Sequence, residues 1–133
     1  MSTAHGAVSF FELGVGDSPA GRAFYEGVFG WGFETGPSGN GWVLRTPNIR
    51  GGMHPNDAGG GPYLFFAVDD MDAAVARVLE LGGEILPDMG SGETDESVRR
   101  FGRFKFCKDD QGSSFGLHQP PEAGGPGRGG SPV

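Results

Sequence analysis

Residues Phe10 to Trp31 read FFELGVGDSPAGRAFYEGVFGW, and this stretch sets the plan of the whole chain. Val8 to Val15 is an apolar run without proline and predicts a strand. Asp17 and Ser18 are capping residues, and Pro19 suits a first helical turn, where a missing N–H costs nothing. Ala20, Ala23, Phe24, Gly27 and Val28 then recur at helical spacing and predict an apolar stripe, with Gly30 as the stop. Three short strands follow by pattern: around Phe33, from Trp42 to Thr46, and from Ile49 to His54, separated by the turn sequences GPSGNG and PN.

After Pro55 the segment NDAGGGP reads as a linker, and then the plan restarts. YLFFAV is a strand, Asp69 or Asp70 a cap, and Met71, Ala74, Val75, Val78 and Leu79 a helical stripe ended by Gly82-Gly83. Glu84 to Leu86, Arg103 to Cys107 and Ser114 to His118 predict three more strands, the last two joined by the turn KDDQGS. LGVGD at 13–17 superimposes on FAVDD at 66–70. The fold class expected is therefore α+β, with two tandem βαβββ modules at 7–57 and 62–119. Residues 120–133, rich in glycine and proline, are expected to be disordered.

A chain of 133 residues is long enough for one compact unit with a real core. No apolar run is long enough to span a membrane, and the N-terminus lacks the basic region of a signal peptide. The single cysteine, Cys107, rules out an internal disulfide and suits the cytoplasm; it reads as an inert buried thiol. With 17 acidic against 10 basic residues the formal charge is −7, and no basic stripe is present for a nucleic acid. GGGP lacks the strand–loop–helix setting of a phosphate loop.

The paired modules, with FYEGVFGW at the end of the first helix and DDQGSSFGL at the last hairpin, resemble the vicinal oxygen chelate superfamily. That group includes glyoxalase I, bleomycin-resistance proteins, extradiol dioxygenases and methylmalonyl-CoA epimerase. The resemblance covers roughly residues 7 to 119. It implies that each module curls into an incomplete barrel and that modules enclose a cleft. It also implies that two copies pair as a homodimer. It does not imply one activity, because the fold hosts isomerases, lyases, oxygenases and binders.

Metal-dependent members place His and Glu ligands on the first and last strands of each module, leaving coordination positions open for substrate oxygens. Carried over by position, those places fall on Phe10, Gly52, Tyr63 and Gly116. Only Tyr63 offers an oxygen, so no metal is expected at the usual positions. Strand alternation puts Glu12, His54, Phe65 and His118 on the same faces, two residues along. Glu12, His54 and His118 are a set that binds zinc or iron elsewhere, so a divalent metal in a displaced site is the alternative. A two-residue shift is about 6.6 Å of strand, so such a site must be complete in itself.

Glu12 lies on one face of an apolar strand between Phe10 and Gly14. Such a carboxylate suits a general base, a ligand contact, or pairing with a group such as Arg45. Phe10, Tyr63 and Phe65 are expected to line an apolar pocket, with Gly52 and Gly116 leaving room in it. Trp31 is expected behind the helix, and Trp42 is left open between stacking surface and core. In SGETDESVRRFGRFK an acidic half precedes Arg99, Arg100, Arg103 and Lys105; this reads as a solvated loop balancing its own acids, or as a holder of an anionic ligand. The expected function is binding of a small organic molecule in an aromatic cleft without metal. The alternative is a lyase, isomerase or dioxygenase-type enzyme that uses the displaced metal or Glu12.

Overall fold

The computed structural model describes residues 4–37, 39–87 and 94–121; the expected disordered tail lies outside them from residue 122 onward, as do residues 91–93 of the acidic stretch. Two compact units are present. One is Phe10–Leu64; the other joins the described residues up to Ser9 with those from Phe65 onward. Residues near the start belong with the second unit because Gly6 N–H donates to Ala67 O and Ala67 N–H donates to Ala7 O, both at 2.7 Å.

In the first unit, β1 (Val8–Gly14) leads to α1 (Ser18–Phe29), then β2 (Gly32–Thr35), β3 (Trp42–Arg45) and β4 (Arg50–His54). The strands lie in the order β2-β3-β4-β1, with β4 parallel to β1 and the other pairs antiparallel. Leu13, Leu44 and Met53 form the buried centre, flanked by Phe11, Val15, Tyr25, Trp31, Phe33 and Trp42. Helix α1 ends where Gly30 turns left-handed at φ 72° and its N–H bonds Glu26 O.

The predicted apolar stripe of α1 does not face this core. Ala20, Ala23, Phe24, Gly27 and Val28 are all exposed, Phe24 by 62%. The helix instead turns Ser18 and Gly21 inward. A Cβ at Gly21 would meet Met53 Sδ at 2.8 Å and Val15 at 3.1 Å. Close approach of backbone to sheet therefore decides the packing face here, and apolar spacing does not.

The second unit repeats the plan with β5 (Tyr63–Ala67), whose residues from Phe65 onward belong here, then α2 (Met71–Glu80) and β6 (Glu84–Ile85). Helix α3 (Asp95–Phe101), β7 (Arg103–Lys108) and β8 (Ser114–Gln119) complete it, with strands in the order β5-β8-β7-β6. Val68, Met71, Cys107 and Leu117 are its buried centre, under Ala74, Val75 and Val78 of α2. Asp70 caps α2 by accepting from Ala73 N–H at 3.2 Å.

Helix α3 replaces the loop expected over the acidic and basic stretch. Thr94 and Ser97 form a reciprocal capping box, at 3.1 Å and 2.8 Å. Asp95 and Glu96 occupy the first turn and Arg99 and Arg100 the last, so the charge order that suggested a self-balancing loop matches the helix dipole. Among the described residues no helix is long and apolar enough to cross a membrane.

Candidate functional site

The parallel register of β1 and β4 sets Glu12 against Gly52 and Gly14 against His54. Alternation then sends Phe11, Leu13 and Met53 into the core beneath α1, and Glu12 and His54 to the opposite face of the sheet. A side chain at Gly52 would collide with the Glu12 carboxylate. The room left by the missing ligand at position 52 is thus filled by Glu12 itself.

His54 is held from both sides. Its Nδ1–H donates to Glu12 Oε2 at 2.7 Å and its Nε2–H to Asp57 Oδ2 at 2.8 Å. Tyr63 Oη–H donates to the same Asp57 oxygen at 3.1 Å, and the two rings stack at 6.2 Å. The hydrogen bond to Glu12, seconded by Asp57, raises the imidazole to about 9 against the opposing effect of burial. His54 is therefore an imidazolium at neutral pH. The same His54 bond holds the Asp57 carboxyl below its usual range, while burial and Asp57 push the Tyr63 hydroxyl up.

Asp57 was not expected in any site, because NDAGGGP reads as a linker. In the structure this segment folds back on the end of β1. Asp57 N–H donates to Val15 O at 2.9 Å, Gly60 N–H to Asp57 O at 3.0 Å, and Gly14 N–H to Gly60 O at 2.7 Å. A Cβ at Gly14 or Gly60 would strike the Asp57 carboxylate. The available signal was an acid set among glycines three residues after a histidine, in reach of a strand that itself ends in glycine.

Other expected site residues have other partners. Arg45 pairs with Glu34, at 2.7 Å from Nη2 and 3.0 Å from Nε, and so is not the partner of Glu12. Phe10 is buried. Phe65, 2% exposed, packs edge-on to Phe104 and Phe106 and covers Gly116, where a Cβ would meet its ring. His118 is buried and stacks on Phe104 with centroids 4.5 Å apart. Its Nε2–H donates to Phe101 O at 2.7 Å, which leaves Nδ1 as acceptor for the Ser9 hydroxyl at 2.7 Å. Burial pushes this imidazole down. Trp42 belongs to the helix side, its Nε1–H donating to Ser18 O at 2.9 Å with the Arg22 guanidinium 4.8 Å above its ring. Trp31 stacks on Tyr25 and Phe29. Burial raises the Cys107 thiol to about 11.

The usual family metal does not fit the residues at its positions. Phe10, Gly52 and Gly116 carry no donor side chain, and Tyr63 Oη is engaged with Asp57. Among the described residues no group of three or more His, Cys, Asp and Glu side chains is arranged to hold a metal ion.

Comparison with known proteins gives the same frame. The chain is similar to methylmalonyl-CoA epimerase from Mycobacterium tuberculosis, with a TM-score of 0.61 at 19% identity, over 92% of this chain and 93% of that one. In sequence it is 31% identical over 126 residues to CFP32 of Mycobacterium bovis, whose name assigns it provisionally to the glyoxylases. These likenesses indicate the fold of the vicinal oxygen chelate superfamily. It is also 32% identical over 135 residues to the anthracycline biosynthesis protein DnrV of Streptomyces peucetius. Each sequence match takes in 86% of this chain but 46% or 47% of the relative, so the chain spans about half the length of these relatives. No protein-family model matches it.

Proposed function

We propose that this protein binds a small organic molecule on the sheet face that carries Glu12, His54 and Tyr63, without a metal at the usual superfamily positions. The observation that carries this reading is the substitution of one charged assembly for another. Where a metal would present a fixed positive charge, the His54 imidazolium lies between two carboxylates, and Glu12 fills the room beside Gly52. Half-buried Tyr63 adds an aromatic surface next to this polar group. The Streptomyces relative named for anthracycline biosynthesis suggests planar aromatic molecules as the first class to try. We include in this reading a homodimer working in the cytoplasm.

The test pairs elemental analysis with a ligand screen on untagged protein. The expected result is no stoichiometric zinc, iron, nickel or manganese, no gain in thermal stability on adding those ions, and a saturable response to aromatic ligands. Stoichiometric metal, or stabilisation by metal alone, overturns the metal-free reading.

A second reading is favoured by one observation, the continuous chain of hydrogen bonds from Glu12 through His54 and Asp57 to Tyr63. Such a chain can hold a proton at His54 Nδ1 and return it to Glu12, which is acid–base work. On this reading Glu12→Gln abolishes turnover of an identified substrate while largely keeping its affinity. On the binding reading the same change alters affinity only.

A further inference from the structure

The basic residues Arg103 and Lys105 after α3 lie outside the His54 network. In the second unit a recess of about 270 Å3 opens where the first turns of α2 meet the start of β7, lined by Met71, Asp72, Val75, Arg103, Phe104 and Lys105. Its apolar part is half-buried Val75 over Met71, which is 3% exposed; the ring of Phe104 lies on the other face of β7, stacked on His118. Its charged groups are two cations and one carboxylate, in a chain whose formal charge is −7. Arg103 is exposed and has no ion-pair partner among the described residues. The N-terminus of α2 is already satisfied, since Met71 N–H donates to Gln119 Oε1 at 2.6 Å and Asp70 caps Ala73. Attraction for an anion therefore rests on the side chains.

We propose that this recess binds a small organic acid, with a single-ring or branched apolar body against Val75 and Met71 and its carboxylate on Arg103. Size and charge both point to this class. The volume lies just under the roughly 300–1,000 Å3 usual for small-molecule sites and suits a body of one ring. A planar guanidinium at the rim of an apolar recess takes a carboxylate in a two-point contact, and Lys105 adds a second positive charge to the rim. Asp72 disfavours dianions, so a monocarboxylate is preferred over a phosphate ester. The recess shares no residue with the His54 network, and its test is independent of the reading above.

The experiment is a titration of the full chain, 15N-labelled, with phenylacetate, followed by amide chemical shifts. Phenylacetamide and acetate serve as the uncharged and the bodiless control. The expected result is a saturable shift at Val75, Arg103 and Lys105 with phenylacetate, a weaker one with phenylacetamide, and none with acetate. Arg103→Gln, an exposed change, weakens phenylacetate about tenfold and leaves phenylacetamide unaltered, as loss of one charge-assisted contact requires. Val75→Trp fills the recess and removes both responses. Absence of saturable shifts, shifts centred on other residues, or indifference to Arg103→Gln each overturns the proposal. Should Val75→Trp fail to fold, Arg103→Gln decides alone.

Discussion

The two modules end on matching triplets, Gly52-Met53-His54 and Gly116-Leu117-His118, and the structure puts the two histidines to opposite uses. In each triplet the middle residue enters its own core, Met53 in one unit and Leu117 in the other. In each, the glycine gives up its side-chain room to a residue of the neighbouring strand. That residue differs. Beside Gly52 it is Glu12, a carboxylate that turns His54 into an imidazolium. Beside Gly116 it is Phe65, whose aromatic cluster with Phe104 belongs to the burial that keeps His118 neutral. A repeat in sequence thus fixes where a histidine stands, and the neighbouring strand decides its charge.

The comparison breaks most easily at His118. His118→Ala removes a buried ring and leaves Phe101 O without its donor, and should cost about 3 kcal/mol in urea unfolding. His54→Ala, at a site one-third exposed, should cost less, about 1–2 kcal/mol, because water can solvate the released carboxylates. Equal losses would mean that both histidines are structural in the same sense.

Gly116→Ala and Gly52→Ala sharpen the contrast between their two neighbours. Phe65 is hemmed in by Phe104 and Phe106, so a methyl at 116 forces an overpacked core and should cost about 2 kcal/mol. The Glu12 carboxylate is the mobile end of its side chain and can swing aside. Gly52→Ala should cost about 1 kcal/mol. NMR titration should also show His54 losing part of its upward shift, since its largest cause is displaced.

Much of this fold was legible in the sequence, because strand alternation, capping residues and the repeat are local signals. Glu12 and His54 were legible as a pair on one face for the same reason. Three features were not. The packing face of α1 follows Gly21 and its closeness to Met53, which apolar spacing cannot reveal. Helix α3 is only seven residues long, and its charges alone gave no period to read. Asp57 reaches His54 through a loop whose path depends on hydrogen bonds to Val15, Gly14 and Gly16, and composition reported only its glycines.

The pH dependence of stability isolates the His54 half of the comparison. Its folded value, about 9, lies above the unfolded value of 6.5. The stability it contributes is therefore fully present below pH 6.5 and lost as pH rises toward 9. Partial exposure screens the network, so the loss expected is about 1–2 kcal/mol. Asp57, shifted down by the same bond, contributes with the opposite sense: its share is present above the ordinary carboxyl value and lost in acid. Urea midpoints measured between pH 6.5 and pH 9 should fall with rising pH in the parent and stay level in His54→Gln, whereas above that range ionisation of the unfolded Cys107 thiol lowers both. His118, shifted down, acts in the opposite sense: its share is present above pH 6.5 and lost as pH falls below that value, so it adds nothing to the alkaline loss.

The smallest effect tests whether the network ends at Asp57 or includes Tyr63. Tyr63→Phe deletes one hydrogen bond to Asp57 and keeps the ring that stacks on His54. It should cost about 0.5–1 kcal/mol. The primary cause of the His54 shift is Glu12, and Tyr63 is not among its causes, so His54 should titrate almost as before. The Asp57 carboxyl should move back up, because the Tyr63 bond is one of the contacts that hold it down. A large fall at His54 in Tyr63→Phe would mean that the hydroxyl sets the position of Asp57 and not merely its charge. The comparison would then have to be drawn between whole loops, because the histidine would owe its charge to the path of residues 55–62 as much as to Glu12.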